Sequence, residues 1–419
     1  MSLLFLFLIS AFTFAAAEAQ DFTSVLRTIE QGNTRLAAAR QTNAAEVASR
    51  QAENVIGATS LEYSPFFHGG YRGIVSSELI VTQEFDYPTL YRERRKSTEL
   101  QKEVMDLEYM TLRRDILLEA AKKCYDLSTA YRRQALIRQR LAATDSLLTL
   151  YTKRLDHGHA TIIDYNRIRM DRMALVTESA ESQGEALAII EELLRLNGGK
   201  PIVALDTIIS SLSEERATPI ECIGMNLNAP SHNELMYAAP HNELRAARLF
   251  VDDLETETLE TATAEAELAA SRHELQLSRK SWYPTFTAGF RVNTEMRDAN
   301  GGFVVGVAFP LFGNGKKQRA AEMRTSAAEM ELADARAEAL SRVRALKTEA
   351  TNLQRILSTY DVELMKENLT LLLRAVLAGE ISIMDYYPEA ERIYGVLQQR
   401  LEMENAYNKV YAELHRDEL

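Results

Sequence analysis

The chain states one pattern twice, and this repetition constrains its fold more than any other feature. Gly158-His159-Ala160-Thr161-Ile162-Ile163-Asp164-Tyr165 is matched by Gly379-Glu380-Ile381-Ser382-Ile383-Met384-Asp385-Tyr386. Leu36-Ala37-Ala38-Ala39-Arg40 is matched by Leu244-Arg245-Ala246-Ala247-Arg248. Each copy also holds a long stretch without Gly or Pro. Two copies of one supersecondary unit bury a shared core that neither buries alone. The expected division is a leader over 1–19, a first repeat over 20–229 and a second over 230–419.

The leader is read from the apolar run 2–9 and the small residues ending Ala17-Glu18-Ala19. This is the pattern of a secretory signal cut before Gln20, and it is too short for a spanning helix. No later segment reaches 18 consecutive apolar residues. With 46% hydrophobic and 26% charged residues the chain is expected to pack rather than stay disordered. A formal net charge of -12 argues against nucleic acid as a partner, and suits a passage lined with negative charge. Cys124 and Cys222 are too few for a disulfide framework. They either pair in an oxidising compartment or remain buried thiols, and neither follows the cleavage site as a lipid anchor would require. The terminal Arg416-Asp417-Glu418-Leu419 imitates a retrieval signal but reads as a charged helix end.

From Thr89 to His157 there is no Gly or Pro. A continuous helix of that length, roughly 69 residues, would reach about 100 Å. The same holds from Lys316 to Ala378. That second run carries a heptad stripe, Ala339, Val343, Leu346, Ala350, Leu353, Leu357, Tyr360 and Leu364, which predicts coiled-coil packing. Each rod ends at a glycine, Gly158 or Gly379, suited to a left-handed helix cap. Thr161 and Ser382 then stand in N-cap position, with return helices expected to Leu196 and Leu414. Shorter helices, Phe22 to Asn54 and Asn233 to Leu277, precede the rods, and Asn197 to Pro230 joins the two copies.

Between short helix and rod, each copy predicts a β-hairpin. In the second copy the strands are Tyr283 to Asn293 and Phe303 to Phe309, with a turn over Arg297 to Gly302. In the first, Ile74 to Phe85 alternates well, whereas Leu61 to Phe67 is weaker and contains Pro65. Strands of this length suit a tilted membrane barrel. Four strands cannot close one, and lipid tolerates no open edge, so membrane strands would require oligomerisation.

No catalytic motif appears: there is no Gly-rich phosphate loop, nucleophile elbow or HExxH. No enzyme activity and no cofactor are expected. His157 and His159 flank one turn glycine and read as exposed loop residues rather than metal ligands.

The ordered set of pieces resembles the TolC family of bacterial outer-membrane efflux proteins over nearly all of the mature chain. Gln83-Glu84-Phe85-Asp86-Tyr87-Pro88 and Ala308-Phe309-Pro310-Leu311-Phe312 look like that family's strand-to-rod junctions. Trp282-Tyr283-Pro284 looks like the entry to its second hairpin, and the Gly…Asp-Tyr steps look like its periplasmic tips. The resemblance implies an α+β membrane protein: a homotrimer whose 12-stranded β-barrel in outer-membrane lipid continues as an α-helical tunnel of coiled-coil helices across the periplasm. It further implies a passive efflux conduit working with a periplasmic adapter protein and an inner-membrane pump. Leu155, Gly158, Ala160, Val376, Gly379 and Ile381 become the adapter-contacting tips. Asp164, Tyr165, Asp385 and Tyr386 become the periplasmic constriction, with Arg167 and Arg169 as ion-pair partners. Each Asp equally suits a helix N-terminus through the macrodipole. The competing reading is a periplasmic coiled-coil adapter or scaffold without a pore, which would need no aromatic-bounded strands of membrane length.

Overall fold

The computed structural model describes residues 23–67, 73–203, 205, 258–295, 298–310 and 313–419. The leader, Cys222, the Leu244–Arg248 copy and most of the connector lie outside the described residues. In chain order the elements are α1 (Thr34–Glu53), β1 (Thr59–Phe67), β2 (Ile74–Phe85), α2 (Pro88–Asp156), α3 (Ile162–Leu196), α4 (Leu259–Arg279), β3 (Thr285–Glu295), β4 (Asp298–Ala308), α5 (Asn314–Leu357), α6 (Val362–Ala378) and α7 (Ile383–Leu414). Residues 23–32 are also helical. Hairpin, long helix, glycine turn and return helix thus occur twice.

The chain forms two compact units, and each draws on both halves of the sequence. The first comprises the described residues within Ala37–Thr111 and Leu254–Leu340. It holds one four-stranded sheet in the order β1-β2-β3-β4, antiparallel throughout. The β2–β3 pairing joins the two hairpins. Pro65 sits within β1, where a strand paired on one side tolerates a missing N–H. The expected turn over Arg297 to Gly302 is wrong: β4 begins at Asp298, with Gly301 and Gly302 opposite Val292 and Arg291. The reason lies in Gly301. A Cβ there would come 2.8 Å from the Phe290 ring, so the glycine makes room for an aromatic neighbour instead of bending the chain. Beside the sheet, α4 and α5 pack through Ala264, Leu268, Ala328 and Leu332. Arg272–Glu329 (3.0 Å) and Arg336–Glu265 (2.6 Å) flank that seam.

The second unit comprises the described residues within Met1–Leu36, Leu112–Asp253 and Ser341–Leu419. It contains the remainder of α2 and α5, with α3, α6 and α7. The first rod is one unbroken helix, 69 residues long, opened by Pro88, whose missing N–H costs nothing at a helix start. The second rod is not continuous. It stops at Leu357 and restarts at Val362. The Ser358 and Thr359 hydroxyls donate to the Arg355 and Ile356 carbonyls, both at 2.7 Å, and compete with the helical ladder there. The Asp361 side chain then accepts the Leu364 N–H at 3.0 Å and starts a new helix. The break resets the phase. Leu353 is buried, but Leu364, expected in the same stripe, is 53% exposed.

Cys124 is a buried free thiol, and burial pushes its pKa up to about 12. The last residues are docked: Leu419 packs on the cluster of Leu118, Tyr125 and Ala412, and Arg113 donates to its carbonyl at 2.9 Å. This agrees with the charged helix end read from sequence. Among the described residues no helix is long and apolar enough to cross a membrane.

Candidate functional site

Both glycine turns lie in the second unit, and one core supports them. Gly158 (φ 74°) and Gly379 (φ 82°) are left-handed, as the capping pattern predicts. Beneath them Leu147 and Tyr151 of α2, Ile168 of α3, Val376 of α6 and Ile383, Tyr386, Tyr387, Ala390 and Tyr394 of α7 form a buried cluster. Arg154 links the two turns. Its Nη2 donates to the Leu377 carbonyl at 3.2 Å, and its guanidinium lies 5.3 Å from the Tyr151 ring centroid.

The two aspartates have matching surroundings. Asp164 completes a capping box: its N–H donates to Thr161 Oγ1 at 3.1 Å, while its carboxylate accepts the Thr161 N–H at 3.2 Å. The Asp385 N–H donates to Ser382 Oγ at 3.2 Å, and its carboxylate accepts the Ser382 hydroxyl at 2.6 Å. Asp164 is half-buried and Asp385 exposed. The tyrosines that follow them differ. Tyr165 is half-buried, with Arg169 5.7 Å from its ring centroid. Tyr386 belongs to the core, 5% exposed, so its ring faces inward within this chain. Val376 is fully buried in the same cluster and presents no surface. Leu155 is half-buried; Ala160 and Ile381 are partly buried and pack on the cluster, leaving the glycines exposed.

Arg167 and Arg169 do not pair with the aspartates in the chain. Arg167 lies 5.6 Å from the Tyr387 ring centroid and donates to Met384 Sδ at 3.1 Å. The charge pair that the structure does build is one the sequence reading missed. Arg140 on α2 meets Asp171 on α3 at 2.9 Å, Thr144 donates to the same carboxylate at 3.1 Å, and Arg140 lies 5.5 Å from the Tyr394 ring centroid. Burial pushes the Tyr386 and Tyr387 hydroxyls well above the usual phenol range; Asp171 adds to the shift and Arg140 opposes it. Tyr387 Oη has no hydrogen-bond partner among the described residues. Nothing in the spacing of Arg140 and Asp171 marks them, because they meet only when α2 and α3 fold back on each other.

No group of three or more His, Cys, Asp or Glu placed to hold a metal occurs among the described residues. His157 and His159 are exposed, and His157 Nδ1 lies 2.7 Å from the Lys153 carbonyl.

The sheet in the first unit has two unlike faces. Directly opposed residues share a face, so the register sorts every side chain. One face carries the rows Leu61-Val81-Phe290-Phe303, Tyr63-Leu79-Val292-Gly301 and Phe85-Phe286-Val307. It has no charged residue, and no element of the chain covers it: Phe303 is 90% exposed, Val305 80% and Leu61 71%. The other face carries Glu62, Glu78, Glu84, Arg291, Glu295 and Asp298, which are all the charges of the four strands. Arg291 pairs with Glu78 at 2.9 Å. Strands β1 and β4 each have one edge unpaired in the chain.

No protein-family model matches the sequence, and no curated protein does. Solved structures do. A membrane protein from Pseudomonas aeruginosa aligns at a TM-score of 0.72 and 15% identity, over 95% of this chain and 93% of that one. The outer membrane protein VceC from Vibrio cholerae aligns at 0.71 and 12%, over 95% and 96%. The Campylobacter jejuni CmeC outer membrane channel aligns at 0.69 and 10%, over 95% and 85%. The chain thus has the fold of outer-membrane channels of the TolC type, the family its sequence resembles.

Proposed function

We propose that the chain is one third of an outer-membrane channel that serves as the passive exit duct of a tripartite efflux assembly. The observation that carries this reading is the sheet: an uncharged, uncovered apolar face backed by a face holding every charge. In water such a face would be an aggregation hazard, whereas in lipid it is the alternation of a barrel wall. A sheet with two free edges finds no partner in hydrocarbon unless the edges pair with other copies. Joining β4 of one copy to β1 of the next is a head-to-tail contact that closes as a ring. Three copies supply the twelve strands, and the long helices continue the passage into the periplasm. The scaffold reading accounts for the helices but leaves the apolar sheet face without a role.

The glycine turns are the surface offered to an adapter, through Leu155, Gly158, Ala160, Gly379 and Ile381, with the pump supplying energy. The constriction rests on Asp164, Tyr165 and Asp385; Tyr386 acts from the core behind them. Three copies place six carboxylates about one axis, and like charges that close require neutralisation by cations or by neighbouring chains.

Reconstitution into planar bilayers tests the reading. The purified protein forms pores that divalent cations block from the side bearing the turns, and Asp164→Asn with Asp385→Asn weakens the block and raises conductance. A protein that stays soluble and monomeric without detergent rules the channel out. Pores with unaltered block in the double variant leave the channel but remove the aspartates from its constriction.

A further inference from the structure

We infer that the strand-lined segment of the pore selects for cationic solutes; this rests on the channel reading and adds the class of solute that the exit favours. The four strands hold five carboxylates and one guanidinium, and the pairing register puts all six on one face. That face is the one turned to water when the uncharged face meets lipid. The carboxylates are spread along the strands rather than gathered at one end. Glu84 lies opposite Thr287, near the end that leads into α2. Glu62 shares a row with Ile80 and Arg291, Glu78 a row with Asn293, and Glu295 pairs with Asp298 at the far end of the hairpin. A three-fold assembly turns each level into a ring of negative charge.

Only one of these levels is neutralised by a strand residue. Arg291 is tied to Glu78, while Glu62 and Glu84 are exposed and have no basic partner among the described residues. The rest of the face is small or polar: Ser60, Ser64, Ser76, Thr82, Thr287, Gly289, Asn293, Asn300, Gly302 and Gly306 leave the carboxylates unshielded. Rings of acidic side chains inside a low-dielectric wall raise the local concentration of cations and lower that of anions. The wall discriminates by charge and not by fit, so inorganic and organic cations share the preference.

The measurement is the reversal potential of the reconstituted trimer across a potassium chloride gradient. The unmodified pore is expected to prefer potassium. Glu62→Gln with Glu84→Gln should move the reversal potential toward zero. Arg291→Gln, which frees Glu78, should move it away from zero. Opposite shifts from neutral substitutions on one face are not produced by a general loosening of the barrel. A salt series on the unmodified protein gives a reading free of any substitution. Raising ionic strength from 0.1 M to 1 M shortens the screening length from about 10 Å to about 3 Å, so the preference should shrink. Pores without cation preference, or with a preference that neither the variants nor salt alter, overturn the inference and leave the channel standing. A protein that forms no pore overturns both.

Discussion

At the residue scale, Gly158 and Gly379 are alike in backbone and unlike in surroundings. Both sit at φ near +80°, where a Cβ opposes the following carbonyl by roughly 1–2 kcal/mol. A Cβ at Gly158 would meet nothing within 4 Å, whereas one at Gly379 would come 3.3 Å from Arg154 Nη2. Gly158→Val therefore carries backbone strain alone, and Gly379→Val also disturbs the link between the turns. Each is expected to abolish export while detergent-purified trimers persist; normal export by the double variant would show that the turns are not the docking surface. Tyr387 sets a different test. Its hydroxyl is buried without a partner, so Tyr387→Phe removes an unmet desolvation cost of about 1–3 kcal/mol and loses no hydrogen bond. Thermal melts should show equal or higher stability, and a clear drop would mean that the hydroxyl has a partner.

At the element scale, the interruption of the second rod decides which leucines face inward. Past Asp361 the half-buried positions are Val362, Met365, Leu369, Leu372 and Leu373, leading to the buried Val376. Leu364 and Leu371 are left exposed at 53% and 59%. An uninterrupted heptad would have kept Leu364 on the packed side. Loss of an N-cap side chain costs about 0.5–2 kcal/mol, so Asp361→Ala should fray the first turn of α6. Hydrogen exchange should quicken at the amides of residues 363–365 while those of α7 keep their protection. Unchanged exchange in α6 would show that packing alone holds the restart in place.

At the scale of the whole molecule, the two faces of the sheet give paired substitutions with opposite outcomes. Phe303 lies on the uncharged face and Val304, its neighbour, on the charged one. A lysine at bilayer mid-depth on a lipid-facing position costs about 2–4 kcal/mol, and three copies multiply the penalty. Phe303→Lys should prevent recovery of folded trimers from membranes, whereas Val304→Lys should be tolerated and should weaken any cation preference. Equal recovery of both variants would argue that the sheet does not lie in lipid.

The sequence alone determined the repeat, the first rod, both glycine turns and the caps after them, because each depends on residues within a few positions of one another. Pro88, Gly158, Thr161, Gly379 and Ser382 act through local backbone geometry, and their effects are legible in a string of letters. The break at Ser358–Asp361 was locally encoded as well, but a stripe of apolar residues running through it masked a modest capping signal. Only the tertiary structure decided the rest. Gly301 reads as a turn residue until Phe290 is seen across the ladder. Arg140 and Asp171 are 31 residues apart in sequence and become partners only once α2 and α3 fold back together. Tyr386 and Val376 look like surface residues of a turn until the cluster on α7 forms beneath them. The segregation of six charges onto one sheet face depends on a register across β2 and β3, strands separated by most of the chain. Pairing over such distances is set by which faces can be buried or wetted together, and no local pattern records it.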